Sequence, residues 1–530
     1  MKFIGVIGVL FFMGIAFLFS KNKKSVKLQT VFWGLMLQIL FSFIILGTTT
    51  VSSVAAGIFI FLLCVYLAVT RFNRAGFFRK QLFTALLAVI MSAALIFIGY
   101  IVGVQPSSGA EPYFVSISPV VQIFWLLIFI VWILRKFIQN HTFRLFPLNS
   151  IFFLVAVSLS FGGSLALSAA TNGQFGTPSA SMAKLSASVG KFLMIPTDEG
   201  ASFVFGSLYD PSGPWGFLFF VKVLPTIIFF SAFISVLYYF GIVQVLIEEM
   251  ARFMRWTMKT SGTETLSCAA NIFVGQTEAP ILVKPFVSTM TNSELHAIMS
   301  GGFATISGGV FAGFVSMGID ASYLIGASIM SAPAALLLSK IWYPETEHSI
   351  SDGETPLPAV QISDNVIGAA AQGTNDGLHL ALNVGAMLLA FVALIEVTNM
   401  GLRFINPDLS LNMIFGYIFR YLALILGTPI QDAQNVGTLL GNKIALNEFV
   451  AYLTLSEMLK NGILSPKAQV IATYALCGFA NLSSIGIQIG GISMMAPGRR
   501  ADITRLSFSA MWTGAFASWM TAAIAGIFVG

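Results

Sequence analysis

The chain has 530 residues, of which 56% are hydrophobic and 9% charged. A soluble domain carries about 25% charged residues, so composition excludes an ordinary water-soluble enzyme or binding module. The net charge of +6 does not point to nucleic acid, because the basic residues sit in short loops between apolar runs and act there as topology signals.

Runs long enough to cross a hydrocarbon core of about 30 Å are expected at 4–20, 29–48, 54–70, 82–104, 118–138, 150–169 and 217–240. Others follow at 300–318, 322–340, 379–400, 468–492 and 506–529. The first run lacks a basic n-region and an A-x-A cleavage site, so it reads as a retained span. Cys64, Cys268 and Cys477 are scattered through apolar segments and suggest neither a disulfide framework nor a thiolate metal site. Basic loops carry Lys21, Lys23, Lys24 and Lys27, then Arg71, Arg74, Arg79 and Lys80, then Arg135, Lys136 and Arg144, and late in the chain Arg499, Arg500 and Arg505. The alternating connections 47–53 and 105–116 hold no Lys or Arg. Positive-inside bias then places both termini outside a plasma (inner) membrane. The polar segment 170–216, with Asp198, Glu199 and Asp210, falls outside and is expected to carry short interfacial helices.

Segments 265–298 and 430–460 are moderately apolar but broken by Gly, Pro and polar residues, and hold Glu278 and Glu448. Such segments fit re-entrant hairpins. After each comes a similar string: Gly302-Phe303-Ala304-Thr305-Ile306-Ser307 and Gly478-Phe479-Ala480-Asn481-Leu482-Ser483. Three expected spans separate the hairpins, so the two units enter from opposite sides of the membrane. Inverted repeats with discontinuous helices characterise secondary transporters, which bind substrate near the midplane. Small residues could instead serve close helix packing, and either glutamate could form a buried ion pair, for example with Lys284. Acidic residues inside membrane segments are expensive, which favours function. Glu396, His296 and His379 are expected at membrane interfaces. The fold class is therefore an all-α polytopic membrane protein with about 12 transmembrane helices and two re-entrant hairpins.

Gly275-Gln276-Thr277-Glu278-Ala279-Pro280, Gly301 to Thr305, Asn447-Glu448-Phe449-Val450-Ala451-Tyr452 and Cys477 to Asn481 with Ser483 and Ser484 together make the chain resemble the concentrative nucleoside transporter family. The resemblance covers residues 1–49 and about 185–530. It implies a homotrimer in which a scaffold holds a mobile transport domain, working by alternating access. It also implies that Gln276, Thr277, Glu278 and Val310 face the nucleobase. Glu448, Asn481 and Ser484 would hold the ribose, with Phe479 beside them. Asn271, Val274, Thr305 and Ile306 would ligate a sodium ion, the coupling ion, with protons as the other option. The chemistry is sensible: a carboxylate can accept hydrogen bonds from both vicinal hydroxyls of a ribose, and sodium is a hard cation that wants oxygen ligands.

The expected division is two scaffold spans (1–49), an inserted four-span segment (50–184), and interfacial helices with a scaffold span (185–260). The first repeat (261–345), an acidic linker with a scaffold span (346–429) and the second repeat (430–530) follow. The insertion departs from the family pattern. No enzymatic cofactor is expected, since H-E-x-x-H and P-loop patterns are absent, and the partners are purine and pyrimidine nucleosides and the bilayer, without nucleic acid. The rival readings are a nucleoside sensor without transport and a carrier of the same fold for another solute such as a nucleobase.

Overall fold

In lipid, only helices and closed barrels satisfy every backbone polar group. The computed structural model describes residues 2–47, 194–210, 218–351 and 365–529, with single positions between 55 and 66, and these are helical with no strand among them. Packing divides the chain into two compact units, residues 1–42 with 185–530, and residues 43–184. The expected spans 82–104, 118–138 and 150–169, most of 54–70 and linker residues 352–364 lie outside the described residues.

In the first unit, α1 (Lys2–Leu18) and α2 (Leu28–Leu46) come close to the expected spans, and residues 194–205 form α3. The rest is a duplicated set of five parts. The first copy runs from the span α4 (Phe219–Tyr239) to a short helix α5 (Ile242–Met258). The hairpin follows, made of α6 (Gly262–Ala270), a 3-10 turn (Ala279–Val283) and α7 (Lys284–Val287). A broken span, α8 (Asn292–Ala304) and α9 (Gly308–Ser316), precedes the unbroken α10 (Ala321–Trp342). The second copy repeats the order: α11 (Val366–Arg403), α12 (Leu411–Ile425), hairpin arms α13 (Ala433–Ala445) and α14 (Glu448–Lys460), the broken pair α15 (Pro466–Leu476) and α16 (Leu482–Met495), and α17 (Arg500–Phe528).

Three expectations need correction. The first hairpin ends well before residue 298, because a capping box of Thr291 and Glu294 starts α8; such caps stabilise a helix start by about 1 kcal/mol. Helices α5 and α12 were not foreseen. Helix α5 carries Glu248, Glu249, Arg252 and Arg255 at helical spacing, which breaks up any continuous apolar run. At 1.5 Å per residue neither helix spans comfortably. His296, expected at an interface, is fully buried. Its Nδ1 lies 2.8 Å from Ser339 Oγ and its ring stacks on Tyr343.

Helices α8, α10 and α17 are almost wholly buried, whereas α4 and α11 leave most of their surface open. Aromatic packing holds α1 onto this core: Phe12 meets Phe516 and Trp519 at ring distances of 5.6 and 5.9 Å, and Phe19 stacks on Trp342 at 5.5 Å. A buried polar cluster closes one end of the first repeat. Lys340 pairs with Glu264 at 2.6 Å, while Glu294 accepts hydrogen bonds from Ser349, Ser351 and Thr263. Paired in this way, the charges avoid the several kcal/mol that an isolated buried ion costs.

Candidate functional site

Both broken spans carry a side-chain cap partway along their length. In the first repeat the helix stops at Ala304 and restarts after Ser307, whose hydroxyl accepts the Val310 amide at 3.5 Å. In the second it stops at Leu476 and restarts after Asn481, whose Oδ1 accepts the Ser484 amide at 2.8 Å. The two breaks lie against each other. Gly478 has φ +137°, and a Cβ there would meet the Phe303 carbonyl oxygen at 2.7 Å, so only glycine fits both the backbone and the space.

Four of the expected substrate residues form one hydrogen-bonded chain. Gln276, at the tip of the first hairpin, donates from Nε2 to Ser484 Oγ at 3.4 Å. Ser484 donates its amide to Asn481 Oδ1, and Asn481 Nδ2 donates to Glu448 Oε2 at 2.8 Å, at the turn of the second hairpin. All four are buried. Polar groups from the two hairpins thus converge across one broken helix.

The remaining members sit around this chain. Thr277 packs on α16, where a Cβ at Gly491 would meet its Cγ2 at 2.7 Å. Val310 is buried in the first turn of α9, and Phe479 is buried in the second break. Glu278, expected in a buried setting, is exposed, and its Oε2 accepts the Gly275 amide at 2.6 Å. Neither Glu278 nor Glu448 forms an ion pair among the described residues, and Lys284 is exposed on the surface of its helix. The pairing alternative therefore fails for both. His379 is exposed on α11, and Glu396 pairs with Arg403 at 2.8 Å on an exposed face.

The expected cation ligands also come together. The Gly308 amide donates to the Phe273 carbonyl at 3.2 Å, which holds the 271–274 loop against the break at Thr305 and Ile306. Asn271 and Thr305 are 1% and 2% exposed, yet Asn271 Oδ1 and Thr305 Oγ1 have no hydrogen-bond partner. A buried, unsatisfied oxygen costs about 1–3 kcal/mol. Two on facing loops fit a hard cation with oxygen ligands.

Sequence reasoning missed Gln488. It is fully buried on α16, and its Nε2 donates to Gln276 Oε1 and to the Met299 carbonyl, each at 3.1 Å. It thereby fixes which way the Gln276 amide faces. A Cβ at Gly302 would meet Gln488 Nε2 at 2.6 Å and Gln276 Cβ at 3.0 Å, which explains a glycine at that position of the repeated string. The available signal was spacing: Gln488 lies four residues after Ser484, on the same helical face.

Comparison with known proteins agrees with this fold. Residues 7–61 and 323–526 match the N- and C-terminal models of the Na+ dependent nucleoside transporters, and residues 220–321 match the "nucleoside recognition" Gate model. An uncharacterized transporter of Haemophilus influenzae is 49% identical over 342 residues, covering 63% of this chain and 82% of that protein. Sodium/nucleoside cotransporter 1 of Mus musculus is 43% identical over 350 residues, covering 62% of this chain and 53% of that protein. The human cotransporter 1 is 42% identical over 350 residues, with 62% and 53% covered. The chain thus spans about half the length of the mammalian relatives it matches. The structure of CNTnw in an inward-facing substrate-bound state superposes with a TM-score of 0.71 at 32% identity, covering 100% of this chain and 99% of that one. A doubly substituted CNTnw in an outward-facing state gives 0.70 at 31%, covering 99% and 97%.

Proposed function

The chain belongs to the concentrative nucleoside transporter family, a family of membrane transporters and not of enzymes, and from that membership we propose that it imports nucleosides by alternating access, driven by sodium. The observation that carries this reading is the polar chain from Gln276 through Ser484 and Asn481 to Glu448. One end of the chain is an amide and the other a carboxylate. Gln276 suits the donors and acceptors of a nucleobase edge, and Glu448 suits the paired hydroxyls of a ribose. Thr277, Glu278 and Val310 complete the base side, and Phe479 lines the ribose side. We expect purine and pyrimidine nucleosides both to be accepted.

Sodium is cargo here, held by Asn271, Val274, Thr305 and Ile306. The fit rests on the two unsatisfied oxygens and on backbone carbonyls freed at the break, which face a cavity in transporters of this kind. Both ligand sets share the first hairpin: the cation loop, 271–274, runs directly into the Gln276 tip. A cation that orders the loop therefore orders the base-binding end, and this is the physical basis of coupling.

The open faces of α4 and α11 support a homotrimer, and the basic loops support a plasma (inner) membrane location with both termini outside.

Uptake of radiolabelled uridine and adenosine into proteoliposomes tests the reading, with an inward sodium gradient, an inward proton gradient, or neither. We expect sodium to drive accumulation of both. Accumulation with protons alone would replace the coupling ion. Binding without uptake under any gradient would turn the protein into a sensor.

A further inference from the structure

The start of α2 is fastened to the end of α5. Gln29 Nε2 donates to the Thr257 carbonyl at 3.3 Å, and Thr30 Oγ1 donates to the Met258 carbonyl at 2.8 Å. Two carbonyls that the last turn of α5 leaves open are satisfied in this way. A Cβ at Gly34 would meet Leu337 Cβ at 2.7 Å, so α2 also lies close against α10. These segments enclose a small polar pocket of about 30 Å³, room for about two water-sized groups. Its floor is buried and holds Thr30, Ser261, Glu264, Lys340 and Ser349. Its mouth holds Ser25, Lys27 and Lys259. Both of these lysines are exposed and make no ion pair among the described residues.

Lys259 has φ 54° and ψ 41°, and it is the one non-glycine residue with positive φ among the described residues. That region disfavours any residue with a Cβ, and glycine is the usual occupant of such a helix end. The chain keeps a cation there despite the strain, and strain of this kind gathers at ligand clamps. Three lysines face two glutamates across the pocket lining. Glu264 is taken by Lys340 at 2.6 Å, and Glu345 lies 3.5 Å from the same ammonium while accepting the Thr291 hydroxyl at 2.8 Å. Lys27 and Lys259 therefore present uncompensated positive charge at the mouth, and exposed Lys21, Lys23 and Lys24 precede Lys27 in the chain. A basic loop by itself is a topology signal. Here a lysine from a distant part of the chain converges on the same opening. From Lys27 an exposed apolar stripe of Leu28, Phe32 and Met36 runs along one face of α2 for about 12 Å.

We propose that this pocket binds the headgroup of an anionic phospholipid. Lys27 and Lys259 hold the phosphate, headgroup hydroxyls reach inward to Glu345 and Ser349, and an acyl chain lies along Leu28, Phe32 and Met36. Basic pockets between membrane helices take such headgroups. The stripe selects a lipid over free phosphate, which would gain nothing from an apolar surface. Bound lipid bridges α2, the end of α5 and the foot of the first hairpin at Ser261 and Glu264. With the orientation proposed above, it belongs to the cytoplasmic leaflet.

Native mass spectrometry of the full chain, delipidated in detergent and titrated with phosphatidylglycerol or phosphatidylcholine, tests this independently of transport. One phosphatidylglycerol per chain is expected to bind about tenfold more tightly than phosphatidylcholine. Lys27→Gln and Lys259→Gly should each weaken phosphatidylglycerol about fivefold. Lys24→Gln, in the same loop but outside the pocket, should change it by less than about twofold. Lys259→Gly also relieves the backbone, so its melting temperature without lipid should not fall, which separates lost binding from lost folding. Equal affinity for the two lipids overturns the proposal, as does a loss at Lys24 that matches those at Lys27 and Lys259, since either leaves only a general basic surface. Full competition by inorganic phosphate overturns it too, by making the ligand a free anion.

Discussion

The two repeats share a chain trace and a six-residue string, yet equivalent positions do different work. Thr305 and Asn481 occupy the same place in G-F-A-[TN]-[IL]-S. In the first repeat the helix continues through Gly302, Phe303 and Ala304, so Thr305 ends the first half and its hydroxyl is left unsatisfied. In the second the helix stops earlier, so Asn481 begins the second half and its amide reaches Glu448. A shift of a few residues in the break leaves one position with an unpartnered hydroxyl and ties the other to Glu448, and on the proposed reading this separates a cation-facing position from a substrate-facing one. The repeat supplies the frame, and the location of the cap within each string decides which side chain is left without a partner.

The largest expected effect comes from striking the second repeat at its carboxylate. Glu448→Gln keeps the shape and removes the charge that strengthens hydrogen bonds to a ribose. Charge-assisted bonds contribute about 1.5–3 kcal/mol, so uridine affinity by calorimetry should fall by up to roughly a hundredfold while the melting temperature stays near wild type. Equal uptake by mutant and wild type would remove Glu448 from the ribose site.

Next comes the equivalent blow to the first repeat. Thr305→Val should weaken apparent sodium affinity by about tenfold and leave uridine affinity at saturating sodium unchanged. Ser483→Ala, which removes a hydroxyl bonded to Asn481 at 2.7 Å, should do the reverse. If Thr305→Val instead weakened uridine at every sodium concentration, the division between repeats would not hold.

Gln488→Leu sharpens the comparison at a place where the two copies touch through polar groups. Loss of its bond to Gln276 frees that amide to rotate, and one neutral hydrogen bond contributes about 1 kcal/mol. Uridine affinity should drop by roughly fivefold, with a shift in the ratio of adenosine to uridine affinity, which a purely structural defect would leave alone. The smallest effect is expected at the surface. Glu396 and Arg403 are about half exposed, and such pairs contribute about 0–1 kcal/mol. Glu396→Gln should leave uptake and melting temperature indistinguishable from wild type, and a clear loss of uptake would add Glu396 to the functional set.

The amino-acid sequence by itself determined what depends on composition and order. Long uncharged runs demand helices in lipid, and a repeated string behind an interrupted acidic segment marks hairpins and broken spans. Its residue types also announced oxygen-rich ligand sets. Helices α5 and α12 escaped because their charges or their shortness hide them from a search for apolar runs. The tertiary structure alone decided which groups find partners, since partnership depends on distances across hundreds of residues. Gln488 reaches Gln276 over 212 positions and Lys443 reaches Ser518 over 75. His296 and Glu294 became interior groups only when α8 was enclosed by neighbouring helices. The same enclosure left Asn271 Oδ1 and Thr305 Oγ1 without partners, because satisfaction of a buried polar atom is a property of its surroundings, which no local stretch of sequence contains.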